Sequence, residues 1–490
     1  MKRIVAAVGL TVASTTIAAA ADLPARVYTK APVAAQVYDW TGFYIGANVG
    51  VGVSRDPGSV VFNSSTPGGS SSVVGGAGVI GGGQLGYNWQ AGNIVWGVEA
   101  DLQGSSARDN RTCTLFCMTS NGTEANTYDQ RLDWFGTVRG RVGWATGAVL
   151  GYVTGGLAYG GVRTNNTISV PDNNSPNNTN TRTFSWDQTR TGWTIGSGVE
   201  ASLGGNWTGK IEYLYVDLGS QSGTGSGLPL TNTVTSSLDI REHIFRAGVN
   251  YRFGEKRIMA TAPTADWRGL YLGGNAGEAV AFSPSSMSGF FSALGNHQQF
   301  QQEAYNLSPR GFIGGGQIGY NWQAGSLVYG LETDLQGVSQ SGGSACLTLC
   351  DPHSFLATHE QRLNWLGTTR GRLGYATGDT LFYATGGLAY GKVTTKVSEA
   401  DPFVTAQFDD SYSHTKTGYA VGGGIETKFD PFGLFGHNWS AKTEYLYVDL
   451  GKITDAYTLT PPGVTISHSF TSRVEEHIFR TGLNYHFASP

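Results

Sequence analysis

Charge is scarce in this 490-residue chain, with Lys, Arg, Asp and Glu supplying only 14% of it. Sulfur is scarcer, at four cysteines and four methionines. No run of about 18 apolar residues occurs beyond the N-terminal stretch, which excludes a membrane-spanning helix there. No basic excess or basic patch stands out either, which excludes a nucleic-acid partner. What the chain has instead is 72 Gly, 23 Tyr, 22 Phe and 12 Trp. That combination fits neither a helical protein nor a disordered one, and it points to an all-β protein.

Residues 1–21, "MKRIVAAVGLTVASTTIAAAA", read as a secretory signal peptide. Lys2 and Arg3 lead, a short apolar run follows, and small residues end the stretch, with cleavage expected after Ala20 or Ala21. Without Lys2 and Arg3, 30 basic residues face 36 acidic ones, a mildly acidic balance of about −6. The cysteines fall as two close pairs, Cys113 with Cys117 and Cys346 with Cys350. In an exported chain this arrangement favours disulfides within single loops. A CxxxC zinc half-site is the rival reading, although neither pair has a conspicuous second pair of ligands beside it.

"GGGQLGYNWQAG" at 81–92 returns as "GGGQIGYNWQAG" at 314–325. The echo is longer than that peptide. "DWTGFYIGANVG" (39–50) answers "DWRGLYLGGNAG" (266–277), "QRLDWFGTVRGRVGWATG" (130–147) answers "QRLNWLGTTRGRLGYATG" (361–378), and "HIFRAGVNYRF" (243–253) answers "HIFRTGLNYHF" (477–487). The order is kept, so one unit is duplicated. Within a unit the apolar period is two, the mark of strands. Eight are expected in the first copy, near 40–53, 78–90, 93–104, 130–145, 149–163, 190–203, 206–218 and 240–253. Short turns at 91–92, 146–148 and 204–205 alternate with long connections at 54–77, 105–129, 164–189 and 219–239, as in a transmembrane antiparallel β-barrel. The second copy repeats the scheme, with its third turn enlarged to "DPFGLFGHN".

One face of each strand is greasy and the other small or charged. Leu132, Trp134, Val138, Val142 and Trp144 oppose Asp133, Thr137, Arg139 and Arg141. On the charged face of the first copy, Glu99, Asp101, Asp133, Glu200 and Glu212 balance Arg139, Arg141, Lys210, Arg246 and Arg252. The second copy keeps Glu332, Asp334, Arg370, Arg372, Glu426, Lys442, Glu444 and Arg480, with Asn364 in place of Asp133. An Arg facing lipid at mid-bilayer costs about 2–4 kcal/mol. This face is therefore expected to form a paired network in a barrel interior, with the greasy face toward lipid. Trp40, Trp89, Trp144, Trp193, Trp207, Tyr251 and Phe253 fall near strand ends and are expected to form aromatic girdles.

"ADLPARVYTKAP", "WTGFYIGANVG", "GGGQLGYNWQ", "GTVRGRVGWATG", "VTGGLAYG", "KIEYLYVDLG" and "HIFRAGVNYRF" together resemble the small outer-membrane β-barrel proteins of alphaproteobacteria. These are the outer membrane immunogenic or porin-family proteins, related to opacity-like and OmpA-type barrels. The resemblance covers nearly the whole chain after the signal. It implies one eight-stranded up-and-down barrel per unit, exposed loops, a periplasmic N-terminus, and a role as surface antigen or envelope protein. It also implies outer-membrane lipid, lipopolysaccharide and the barrel-assembly machinery as partners. The chain departs from the family pattern in carrying the unit twice and in placing Ala488, Ser489 and Pro490 after the aromatic Phe487. The expected division is a signal at 1–21, a periplasmic extension at 22–38, barrels at 39–254 and 266–487, and a linker at 255–265.

Catalytic signatures are weak. "GAGVIG" at 76–81 fits a dinucleotide fingerprint in letters only, because a period-two strand follows where a helix is required. The nine histidines include no H-E-x-x-H, and His243 and His477, beside Glu242 and Glu476, are expected at a strand-end rim. No cofactor, metal or catalytic residue is expected. The expected function is a non-enzymatic envelope protein that displays loops such as 165–188. The alternatives are a diffusion porin built as one sixteen-stranded barrel, whose larger interior would conduct, and an adhesin whose loop ligand the sequence does not identify.

Overall fold

The computed structural model describes residues 38–490 except 64–67, 114–124, 173–174, 227–232, 255–263, 294–295, 346–355, 402–405, 429–437, 461–462, 464 and 488–490. The signal peptide, most of the N-terminal extension and most of the linker lie outside the described residues, as does nearly all of the "DPFGLFGHN" turn. Among the described residues there is no helix.

The first copy contains β1 (Gly42–Ser54), β2 (Asp56–Asn63), β3 (Gly68–Val74), β4 (Ala77–Ala91), β5 (Ile94–Ser105), β6 (Arg108–Cys113), β7 (Ala125–Thr146), β8 (Val149–Asp172), β9 (Ser175–Gly204), β10 (Trp207–Ser226) and β11 (Thr233–Arg252). The second contains β12 (Gly269–Ala281), β13 (Ser283–Ala293), β14 (Asn296–Leu307), β15 (Arg310–Ala324), β16 (Leu327–Ala345), β17 (Leu356–Thr377), β18 (Thr380–Asp401), β19 (Ala406–Lys428), β20 (Trp439–Leu459) and β21 (Thr465–His486). All pairings are antiparallel. In the first copy they run β1, β4, β5, β7, β8, β9, β10, β11 and back to β1. In the second they run β12, β15, β16, β17, β18, β19, β20, β21 and back to β12. A short bridge from Glu303 and Ala304 to Cys113 and Thr112 links the two circuits into one 21-stranded sheet.

The long connections differ from their expectation as loops. Five further strands, β2, β3, β6, β13 and β14, occupy them, and β8 and β9 continue through most of the polar stretch 165–188 as a ribbon. The reason is local: Thr167 faces Thr183 and Ser169 faces Thr181 with hydroxyls 3.1 and 3.0 Å apart, and such hydroxyl pairs support a ladder.

A second correction concerns β7. The register shifts between Leu132 and Trp134 against β8, so Asp133 drops out of the ladder and the alternation of faces resets. Leu132 and Phe135 both turn inward and are buried, while Trp134 is exposed, so Leu132 does not share the outer face with Trp134. Below the bulge the alternation is regular: Val138, Val142 and Trp144 are exposed while Thr137, Arg139 and Arg141 are buried. Trp134 and Trp144 bound the exposed apolar stretch of this strand. Ten residues at about 3.3 Å each, tilted by about 40°, rise roughly 25 Å, the height of the apolar band of a membrane barrel.

The repeated glycine-rich peptide has a steric explanation. Tyr44, Gly86, Glu99 and Arg139 stand side by side on four consecutive strands. The Tyr44 ring crosses Gly86 to donate its hydroxyl to Glu99 at 2.8 Å. A Cβ on Gly86 would lie 2.3 Å from that hydroxyl, and Gly319 stands in the same relation to Tyr271. Gly140, on the outer face, meets nothing nearer than 4.0 Å. Gly86→Val and Gly319→Val should therefore each cost about 1–3 kcal/mol through overpacking, read as a lower urea midpoint of the heat-modifiable folded form. Gly140→Ala should change stability by less than about 0.5 kcal/mol and leave that midpoint nearly unmoved.

Candidate functional site

The site with the densest chemistry is the buried face of each circuit at mid-height. Arg139 lies directly opposite Glu99 across the β5–β7 ladder and pairs with it. The same guanidinium reaches Asp101 Oδ2 at 3.1 Å and Glu212 Oε1 at 3.1 Å, and its Nε donates to Thr137 Oγ1 at 2.9 Å. Lys210 Nζ donates to both oxygens of Glu99 at 3.0 and 3.1 Å. Arg246 spans Glu212 at 2.7 Å and Asp101 at 2.9 Å. Arg141 pairs with Glu200 at 2.9 Å, and its guanidinium carbon lies 4.9 and 5.1 Å from the ring centres of Tyr44 and Tyr152. All of these charged side chains are almost fully buried.

The second copy reproduces the set. Arg370 meets Glu332, Asp334 and Glu444 at 2.7, 3.0 and 3.0 Å; Lys442 meets Glu332 at 2.9 Å; Arg480 meets Asp334 at 2.7 Å; and Arg372 meets Glu426 at 2.6 Å. The expected tally of five against five becomes four against four. Asp133 is displaced by the bulge to the half-exposed exterior, 3.5 Å from Arg163. Among the described residues no carboxylate is paired with Arg252; it lies 5.0 Å from the Trp40 ring centre and donates to the Asp39 carbonyl at 3.0 Å.

Trp40 is the clear correction among the aromatic residues. It is wholly buried, packs with Tyr38, Val95 and Leu150, and donates its indole N–H to Gly147 O at 3.1 Å. It seals one end of the circuit rather than standing on the outer surface. A Trp just before the first strand with an Arg at the close of the last strand of the copy could have signalled such a stacked pair. The other six lie on the exposed face: Trp89, Trp144, Trp207, Tyr251 and Phe253 near the short turns, and Trp193 toward the other end.

Sequence reasoning missed two further groups. Tyr44 and Tyr152 donate to Glu99 and Glu212 at 2.8 and 2.9 Å, as Tyr271 and Tyr383 do to Glu332 and Glu444 at 2.8 and 3.1 Å. Beyond the ion pairs, away from the short turns, each interior turns apolar: Ile80, Phe135, Leu214 and Ile244 in the first copy, Ile313, Leu366, Leu446 and Ile478 in the second. Their signal was present as Leu214 and Ile244 sharing the parity of Glu212 and Arg246. Both matched histidines sit against tyrosines, with His243 Nδ1 2.8 Å from Tyr213 Oη and His477 Nδ1 2.8 Å from Tyr445 Oη.

Among the described residues no group of three or more His, Cys, Asp or Glu is arranged to hold a metal. Cys117, Cys346 and Cys350 lie outside the described residues, so the expected disulfides do too. Closed antiparallel strand circuits, a charged buried face and an exposed apolar band agree with the comparison to known families. The family model described as outer membrane protein beta-barrel domain matches residues 6–253 and again 258–487. The chain belongs to that family.

Its relatives fit one copy each. The 31 kDa outer-membrane immunogenic protein of Brucella melitensis biotype 1 is 38% identical over 234 residues, covering 46% of this chain and 89% of that protein. The 22 kDa outer membrane protein of Rhizobium leguminosarum bv. viciae is 36% identical over 182 residues, 37% of this chain and 66% of that protein. Among solved structures, Neisserial surface protein A matches 44% of this chain and 98% of its own at 16% identity, with a TM-score of 0.21. This family member is thus an outer-membrane β-barrel protein of the Gram-negative envelope.

Removing one partner of a buried ion pair costs about 3–5 kcal/mol because the other charge is stranded. Arg139→Glu should abolish the heat-modifiable folded band of the first copy, and adding Glu99→Arg should recover part of it. Strictly additive losses in the double-mutant cycle would show that the two side chains do not act as a pair.

Proposed function

We propose that this family member works as an envelope-structural and surface-displayed protein, non-enzymatic, built as two separate eight-stranded barrels that do not conduct. The observation that carries this reading is the filled buried face of each circuit: a Trp-sealed end, a layer of four cations against four anions, then an apolar layer. Eight strands leave an interior only as wide as its side chains, so this packing leaves no aqueous path. The pairing of β1 with β11, and of β12 with β21, supports two barrels over one of sixteen strands. The exposed Trp and Tyr residues would anchor each barrel at the two bilayer interfaces, with lipid and lipopolysaccharide around them and the barrel-assembly machinery acting during insertion.

Display through the distal ribbons is favoured by their length. β9 runs for 30 residues where about 9–11 cross a bilayer, so most of its N-terminal part projects beyond the apolar band. What that part binds is a question of loop chemistry, and an adhesin role is the second reading.

Two measurements test the proposal. In a background with the native cysteines replaced by serine, Ile45→Cys should crosslink to Tyr251→Cys and Leu272→Cys to Tyr485→Cys, their register partners. Crosslinks of Ile45→Cys to Tyr485→Cys would mean one barrel. In planar bilayers the full chain should give no large, stable conductance steps, and their appearance would overturn the closed interior.

A further inference from the structure

Besides the β6–β14 bridge, the two copies touch on their outer faces at two levels. At one, Tyr213 stacks on Phe479 with ring centres 5.8 Å apart, and Phe245 meets Tyr445 at 5.5 Å. Val53 and Val280 complete this contact, and the Tyr213 hydroxyl donates to Glu278 at 2.8 Å. At the other, near the short turns, Val149 and Ala201 pack on Ile425, with Ile211 and Phe382 alongside. Between these levels the copies part, leaving a cleft of about 760 Å³. That volume falls in the range of small-molecule pockets, about 300–1,000 Å³.

We infer that this cleft is a binding site for one acyl chain of a phospholipid from the periplasmic leaflet. Its walls are made by Leu203, Ile211 and Val249 on one side and Leu327, Leu373 and Phe382 on the other. Lys210 and Arg246 also border it, but their charged ends turn the opposite way, onto Glu99 and Glu212. The cleft thus offers no free charge to a headgroup, and hydrocarbon is the ligand its chemistry accepts. Leu203, Val249, Leu327 and Leu373 are themselves exposed, so the cleft opens onto the same apolar surface that faces lipid.

Depth selects the leaflet. Leu203 precedes the turn at Gly204 and Gly205, Leu327 follows the turn at Gly325, and Leu373 lies just before the one at Gly378. Short turns of membrane barrels lie on the periplasmic side, where phospholipid forms the leaflet. Tyr375, exposed at the same end and lining the cleft, is of the type that prefers the headgroup level. An empty space of this size would deprive both walls of dispersion contacts. In a bilayer the available filler is a lipid chain, and a chain held on two sides exchanges more slowly than one touching a single convex wall.

The inference rests on the two-barrel reading above. To test it, the full chain is reconstituted in vesicles of phosphatidylethanolamine with added lipopolysaccharide, extracted, washed in lipid-free detergent and weighed by native mass spectrometry. Wild type should retain about one phospholipid per chain, and Ala247→Trp with Ala384→Trp, which fill the cleft from both walls, should lower retention about tenfold. Equal retention in both, no retention in wild type, or retention of lipopolysaccharide instead overturns the inference. Should the double variant lose its heat-modifiable fold, a photoreactive benzoylphenylalanine at Leu327 replaces it. After the wash it should crosslink phospholipid while the same probe at Leu157, on the open outer face, should not; equal crosslinking at both overturns the site. The cysteine pairs at Ile45 with Tyr251 and Leu272 with Tyr485 are carried in the same preparations. Correct crosslinks without retained lipid sink the cleft alone, whereas crosslinks between copies sink the two-barrel reading with it.

Discussion

Everything in this molecule is arranged around guanidinium groups buried away from bulk solvent. Arg139 and Arg370 each sit inside a strand circuit with three carboxylates within hydrogen-bonding reach, and each carboxylate is in turn shared with a second cation or a tyrosine. Desolvating so many charges is tolerable only when every partner is in place. The strand registers supply that placement: Glu99 opposite Arg139 and Glu332 opposite Arg370 are fixed by backbone pairing before any side chain chooses a rotamer. A slip of one residue in any of these strands would turn that strand's charges outward.

The same constraint explains the glycines of the buried face. Large side chains must cross neighbouring strands to meet one another, and the positions they cross cannot carry a Cβ. Tyr44 passes over Gly86 and Tyr271 over Gly319. Glycine here is the complement of a tyrosine or an arginine one strand away, which is why it recurs in both copies beside the same partners.

Much of this was legible in the sequence. Period-two alternation, ordered duplication and balanced charges located the eight long strands of each copy, and parity assigned Arg139, Arg141, Lys210 and Glu212 to one side. What escaped was non-local or depended on a break in the period. The bulge at Asp133 resets the alternation, and nothing in its composition marks an extra residue; it removed one carboxylate from the network and turned Leu132 inward. Trp40 has the look of an interfacial residue, and only its apposition to Arg252, over two hundred residues later, shows that it closes a mouth. The ribbons in place of loops were hidden because polarity suggests exposure, which is true of them, and exposure was equated with irregularity, which is not.

The contact between copies has a further consequence. Tyr213 takes Phe479 while Tyr445 takes Phe245, so the same patch is used from each half and each is satisfied by the other. Such a self-complementary arrangement is closed: it leaves no unmatched face from which a row could be extended. Tethering the halves also makes their meeting independent of how sparsely the molecule is scattered in its bilayer. It further allows the halves to differ chemically, as where Val51 of one corresponds to Glu278 in the other, which accepts from the Tyr213 hydroxyl. Carrying both copies on one chain makes this contact an intramolecular one, fixed in number at two.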